Sequence, residues 1–240
     1  MTNYQPGEDF ATEPVPERNQ VSAYKIAIII IGGTIAVPGF LMASQISSAV
    51  GFYPAMVSYA LGCQVLAITG ILAGLVGAKS KLSTYLILGY SFGTKGCKIA
   101  NSLIALVMFF WFSMLCNLFG HAVHEIILIV TNTDIPKQLF ALSGGLIMLW
   151  IAIYGFTALG KMAVVMIPVL FLILSYGAIT ALSAGDLTRL SESGNQSFGI
   201  GAATSIVIGA YSGGIVTLPD YLRYARNLKR AVISVYIALG

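Results

Sequence analysis

The stretch IIIIGGTIAVPGF, Ile28 to Phe40, lies inside an apolar run long enough to cross a membrane, with a glycine pair and a proline–glycine pair at its centre. Proline removes a backbone donor, and glycine costs about 1 kcal/mol of helix propensity against alanine. VIGAYSGGIVTLPD, Val207 to Asp220, repeats the feature with Gly209, Gly213-Gly214 and Pro219. These are the first and sixth of six apolar segments, so the repeat has an odd number of crossings and its second copy enters the membrane inverted. Paired interruptions at corresponding positions of inverted repeats are the pointer to a secondary transporter, with unwound backbone near the midplane binding substrate and ion. The pattern therefore predicts two helices broken near mid-membrane. Taken singly, a glycine pair also fits the general enrichment of Gly and Pro in membrane helices.

Composition sets the environment. Of 240 residues, 57% are hydrophobic and 9% charged, with a mean hydropathy of +0.86, whereas a soluble domain has about 25% charged residues. Such a chain cannot cover a water-exposed surface, and its solvent is the lipid bilayer. The polar, acidic residues 1–23 lack the basic and short apolar regions of a cleavable signal and read as a retained tail; residues 24–240 read as a polytopic domain. Its segments run from Tyr24 to Val50, Tyr53 to Ala78, Ile99 to Val130, Gln138 to Phe156, Ala163 to Ala184 and Phe198 to Leu218. Unbroken apolar runs without alternation are helices rather than barrel strands. In the second, Gly62, Gly70, Gly74 and Gly77 suit helix packing, Gly70 and Gly74 as a GxxxG face.

A cytoplasmic N-terminus puts every Lys and Arg inside except Lys137 and Arg189, which the positive-inside rule favours. The cations are thus topology signals, and no nucleic-acid patch is present. Cys63, Cys97 and Cys116 imply no disulfide framework. After Arg230 the ten residues Ala231 to Gly240 reach about 15 Å as helix, a partial seventh span that reads either as a half-helix packed on protein or, the favoured expectation, as the start of a second repeat in a longer chain.

Trp111 lies about 20 Å of helix rise beyond Lys98, near the midplane, whereas membrane tryptophans gather at the interfaces. Packing and ligand contact both suit that position. Ser113, Asn117, His121 and His124 share one helix face, with Glu125 beside them. The stripe reads either as a solvated outer vestibule or as a proton- or substrate-handling surface. Its His-x-x-His-Glu spacing is not that of a zinc protease, and no nucleophile elbow or phosphate loop occurs. No catalytic residue is expected, and the chain does not read as an enzyme.

Three further stretches carry a resemblance: EPVPERNQ (Glu13 to Gln20), GAKSKLSTYLILGYSFGTKG (Gly77 to Gly96) and PDYLRYARNLKRA (Pro219 to Ala231). Together they resemble the purine and cytosine permeases of nucleobase:cation symporter family 1. The resemblance implies an all-α integral membrane fold of leucine-transporter type, with inverted five-helix repeats, of which this chain holds the first and the start of the second. It implies symport of a nucleobase or related heterocycle with Na+ or H+. By resemblance Trp111 is the third-helix tryptophan that stacks on the substrate ring, and Tyr211 is the aromatic that closes the other side. Stacking is worth about 1–3 kcal/mol per ring, and backbone groups at Ser212, Gly213 and Gly214 can read the ring's edge. The carbonyls of Gly32 and Ile35 match half of a cation site, the other half belonging to an eighth helix. Relatives that bind cytosine or hydantoin carry a glutamine three residues before or four after the tryptophan; here those places hold Met108 and Leu115, and Gly89 stands where relatives have an arginine.

The expected activity is cation-coupled import of such a heterocycle by alternating access at the cell membrane, with no other cofactor. The six helices place no Asp, Glu or Lys at mid-depth, and carbonyl oxygens suit a bare Na+ better than a proton. A passive facilitator would need a continuous polar pore stripe, absent outside the third helix. A non-transporting assembly subunit would need a chain that stops at Gly240.

Overall fold

Apolar segments in lipid must satisfy their own backbone, and they do so as helices. The computed structural model describes residue 10 and residues 12–153, 155–185 and 190–240, with only the backbone of 155–160 and 184. Residues 1–9 and Arg189, which entered the tail and orientation readings, lie outside the described residues. Among the described residues, a short 3-10 turn, Glu17–Asn19, precedes nine helices: α1 Ala23–Thr34, α2 Val37–Val50, α3 Phe52–Ser80, α4 Thr84–Thr131, α5 Lys137–Ile153, α6 Gly155–Ala184, α7 Ile200–Val216, α8 Leu218–Leu222 and α9 Leu228–Leu239.

Among the described residues three stretches, α3, α4 and Lys161–Ser183 within α6, are long and apolar enough to cross a membrane, and the pair α1/α2, bent by 55°, makes a fourth candidate span. The apolar helices α5 and α7 are shorter. The third segment starts earlier than its hydropathy indicates: α4 begins at Thr84 and is interrupted at Gly93, whose φ of 66° and ψ of −179° are non-helical. An L side chain rarely adopts such a positive φ, so glycine is what permits the interruption.

The chain divides into two compact units, one formed by Leu88–Leu159 and the other by Phe10–Ile87 with Gly160–Gly240. In the first, α4 and α5 make a close helical hairpin. A Cβ on Gly120 would lie 2.7 Å from the Lys137 carbonyl and 2.8 Å from the Ala141 Cβ, and Gly144 is filled by the Phe119 ring. Two histidines fasten the connecting loop: His124 Nδ1 donates to the Ile135 carbonyl at 2.7 Å, and Lys137 Nζ donates to His121 Nε2 at 2.9 Å.

In the second unit α3 is the central element, and its glycines are contact points as their spacing predicts. Gly62 meets Val207 of α7, Gly70 meets Leu218 and Leu239, Gly74 meets Leu222 and Gly77 meets Pro219. Small residues let backbones approach closely where lipid supplies no hydrophobic drive between helices. Ile26, Ile46, Ala67, Val207, Leu222 and Val235 fill the core around this stripe.

Candidate functional site

The first break falls just beyond the glycine pair. Helix α1 runs through Gly32 and Gly33 to Thr34, Ile35 caps it with φ −80° and ψ 89°, and α2 starts at Val37 with a proline in its first turn. Pro38 has no amide to return to the Thr34 carbonyl, the residue four before it. The Ile35 amide bonds to the Ile31 carbonyl at 2.9 Å and the Gly39 amide to the Ala36 carbonyl at 2.9 Å. Among the described residues, no backbone amide outside the helices reaches the carbonyls of Gly32 or Ile35. Both are therefore open oxygen acceptors at the bend, where the family resemblance implies half of a cation site.

The second break differs from the expectation. Helix α7 continues through Gly209, Ser212, Gly213 and Gly214 to Val216, and the interruption comes at Thr217, immediately before Leu218-Pro219. Glycines weaken a helix by about 1 kcal/mol each without stopping it; the proline, lacking a donor, decides the position. Ser212 donates its hydroxyl to the Gly209 carbonyl at 2.8 Å, and Thr217 donates to the Gly214 carbonyl at 2.9 Å. Gly213 and Gly214 thus lie in the last turn of α7, where carbonyls lack intrahelical amide partners.

Three of the helical glycines near the breaks, Gly33, Gly209 and Gly214, have no neighbouring atom within 4 Å of where a Cβ would stand. Neither packing nor backbone strain requires glycine there, and its effect is to leave helix backbone uncovered. Gly39 differs, because the Tyr211 hydroxyl fills the place of its missing side chain. Tyr59 of α3 donates to the Gly39 carbonyl at 3.1 Å. Gly32, Ile35, Tyr211, Ser212, Gly213 and Gly214 all belong to the second unit. Trp111 belongs to the first, half-buried on α4. The face bearing Ser113, Asn117, His121 and His124 ends in the contacts of His121 and His124 with Lys137 and Ile135, at the loop-bound end of the helix.

Hydropathy does not reveal how the three motif stretches meet. Arg223 donates to the Phe10 carbonyl at 2.8 Å, the Val15 amide to the Lys81 carbonyl at 3.1 Å, and the Val21 amide to the Tyr224 carbonyl at 2.8 Å. Lys81 donates to the Ala225 carbonyl, and the Thr84 amide to Asp220 at 3.0 Å. Tail residues, the α3–α4 loop and the segment after α7 therefore form one polar knot at the ends of the helices. Burial pulls the Lys81 ammonium below its ordinary pKa and pushes the Tyr221 phenol up, with Asp220 adding to the rise. Their only sequence signal was the motif resemblance.

A family model described as "Permease for cytosine/purines, uracil, thiamine, allantoin" matches residues 14–240. The chain belongs to this permease family. Among its relatives, the cytosine permease of Escherichia coli (strain K12) is 25% identical over 232 residues, covering 96% of this chain and 54% of the relative. The hydantoin permease of Microbacterium maritypicum is 26% identical over 208 residues, covering 85% and 42%. The solved structure of Mhp1, a nucleobase-cation-symport-1 family transporter in a closed conformation with bromovinylhydantoin bound, superposes with a TM-score of 0.87 at 20% identity, over 95% of this chain and 54% of that one. The permease chain thus spans about half the length of the curated relatives it matches. The resemblance to nucleobase:cation symporter family 1 holds, as does the all-α, leucine-transporter-type fold, in a multi-pass membrane protein.

Proposed function

We propose that this permease chain works in a cation-coupled symporter that imports a purine or pyrimidine nucleobase such as cytosine, or a related planar heterocycle, by alternating access. It sits in the plasma (inner) membrane with its N-terminus cytoplasmic, as the distribution of Lys and Arg favours. The observation that carries the reading is the bend of 55° between α1 and α2, which leaves the Gly32 and Ile35 carbonyls open within an apolar segment. An unpaired carbonyl in lipid is expensive unless something coordinates it. These carbonyls are the proposed half of an Na+ site, and the six segments place no Asp, Glu or Lys at mid-depth to serve H+ coupling.

Trp111 and Tyr211 are proposed as stacking faces for the heterocycle. The last turn of α7, with Ser212, Gly213 and Gly214, offers polar groups to its edge, and the uncovered backbone at Gly33 and Gly214 allows close approach. Binding and reorientation are the whole of the activity; no bond in the substrate is made or broken. The test is uptake of radiolabelled cytosine, uracil and hydantoin by the full-length protein in proteoliposomes, under a Na+ gradient or a pH gradient alone. Na+-driven uptake of at least one is expected. Undiminished uptake without Na+ overturns the ion assignment, and no uptake of any planar heterocycle overturns the function.

A further inference from the structure

The first turn of α2 and the middle of α7 meet at one residue that has no side chain. Gly39 stands directly after Pro38, and its amide closes the turn onto the Ala36 carbonyl. The place where its Cβ would stand is taken by the Tyr211 hydroxyl, while the Tyr211 Cζ lies 3.7 Å from that point, ordinary van der Waals distance. Tyr59 of α3 holds the Gly39 carbonyl at 3.1 Å. Glycine is therefore required by what approaches it, not by its backbone angles, because α2 is helical here.

We infer that Gly39 and Tyr59 are positioning residues that set the place of the Tyr211 ring and so tune recognition of the planar substrate. Tyr59 fixes the backbone of Gly39 through its carbonyl, and the bare face of Gly39 seats the tip of Tyr211. The seat works by fit: among the described residues no hydrogen bond holds the Tyr211 hydroxyl. The ring can thus shift whenever α2 moves against α7, and the bend in the first span is mechanically linked to an aromatic face on the sixth. A side chain at residue 39 would push the phenol out by its oxygen alone. Removing that oxygen leaves room for a methyl group, so the two positions should compensate each other. The inference rests on the reading of Tyr211 as a substrate-facing ring.

The test is a double-mutant cycle in the full-length protein, with Gly39→Ala, Tyr211→Phe, the two combined, and Tyr59→Phe. Each variant is measured for binding of radiolabelled cytosine, uracil and hydantoin and for its melting temperature without ligand. Gly39→Ala is expected to weaken binding by about tenfold or more, as overpacking does at a tight contact. The combined variant should return to within about threefold of Tyr211→Phe alone, the non-additivity of residues in contact. Tyr59→Phe should weaken binding by a smaller factor at nearly unchanged melting temperature. If Gly39→Ala does not fold, recovery of a folded, binding protein in the combined variant is the same rescue. A combined variant no better than Gly39→Ala overturns the inference while the wild type still binds. A wild type that binds none of the three probes overturns the site reading, and the inference with it.

Discussion

The Asp220 carboxylate accepts the Thr84 amide at 3.0 Å, so the residue that follows Pro219 caps the start of the long helix α4. One motif thereby closes on another far away in sequence. The same Asp220 offers its backbone carbonyl to Arg223 Nε at 3.2 Å, whose guanidinium reaches the tail at Phe10. An acid at a helix N-terminus satisfies an orphan amide and complements the helix dipole. Asp220→Ala should therefore destabilise the protein by about 0.5–2 kcal/mol, the usual range for losing a capping side chain. Asp220→Asn keeps an acceptor and should lose less. Melting temperatures of the two variants in detergent decide the point; equal values for Asp220→Ala and wild type would show that the cap contributes nothing.

Gly77 and Pro219 lie backbone against backbone: a Cβ on Gly77 would stand 2.5 Å from the Pro219 Cα and 2.7 Å from its carbonyl oxygen. No rotamer can relieve that clash. Gly77→Ala should lose about 1–3 kcal/mol, as overpacking does. At Gly33 and Gly214, where nothing lies within 4 Å, alanine should instead raise stability by about 1 kcal/mol through helix propensity. Thermal unfolding of the three variants should place Gly77→Ala below wild type and the other two above it. If the open backbone at Gly33 and Gly214 serves a ligand, these two should also bind it less tightly, a gain in stability with a loss of function.

Trp111→Ala and Tyr211→Ala should each remove one stacking face and weaken binding of a planar heterocycle by about 1–3 kcal/mol, roughly ten- to hundredfold. Phenylalanine at either position should lose less. Equilibrium binding of the three heterocycles to full-length variants reads this directly. Normal binding and transport by Trp111→Ala would make that tryptophan a packing residue.

The polar knot should leave a mark on pH dependence. Burial lowers the Lys81 pKa from 10.5, so between the lowered folded value and 10.5 the unfolded chain binds more protons than the folded one. Stability from this group therefore rises with pH across that window. Tyr221, raised above 10.0 by burial and then by Asp220, acts oppositely: its contribution is present below pH 10.0 and is lost as pH climbs toward the raised value. Lys81→Met should remove the rise and leave the fall. Melting temperatures from about pH 8 to about pH 12, compared for Lys81→Met and wild type, check both signs; identical slopes below about pH 10 would show that Lys81 titrates as if exposed.

What the amino-acid order alone determines here is the kind of solvent and the helical character of the apolar runs, because such runs in lipid have no alternative to the helix. It also marks which helices bend. The exact place of each bend is decided by neighbours. Helix α1 passes through Gly32-Gly33 and stops at Thr34, and α7 passes through Gly213-Gly214 and stops at Val216, since a glycine only weakens a helix whereas the nearby proline withholds a donor. The start of α4 at Thr84 was equally hidden, because Ser91, Thr94, Lys95 and Lys98 interrupt the apolar run after its first turn and one of its caps, Asp220, comes from far away in sequence.

The candidate site shows the same division. Gly32, Ile35, Trp111 and Tyr211 were legible only as candidates, through the family resemblance and, for the first break and the depth of Trp111, a local pattern beside it. The seat of Tyr211 on Gly39, and the grip of Tyr59 on that glycine, were not. Those contacts join α2, α3 and α7, and a periodicity carries no information about which faces of distant helices meet. Only close packing along the α3 glycine stripe brings the elements near enough for a missing side chain on one to become the place of a hydroxyl from another.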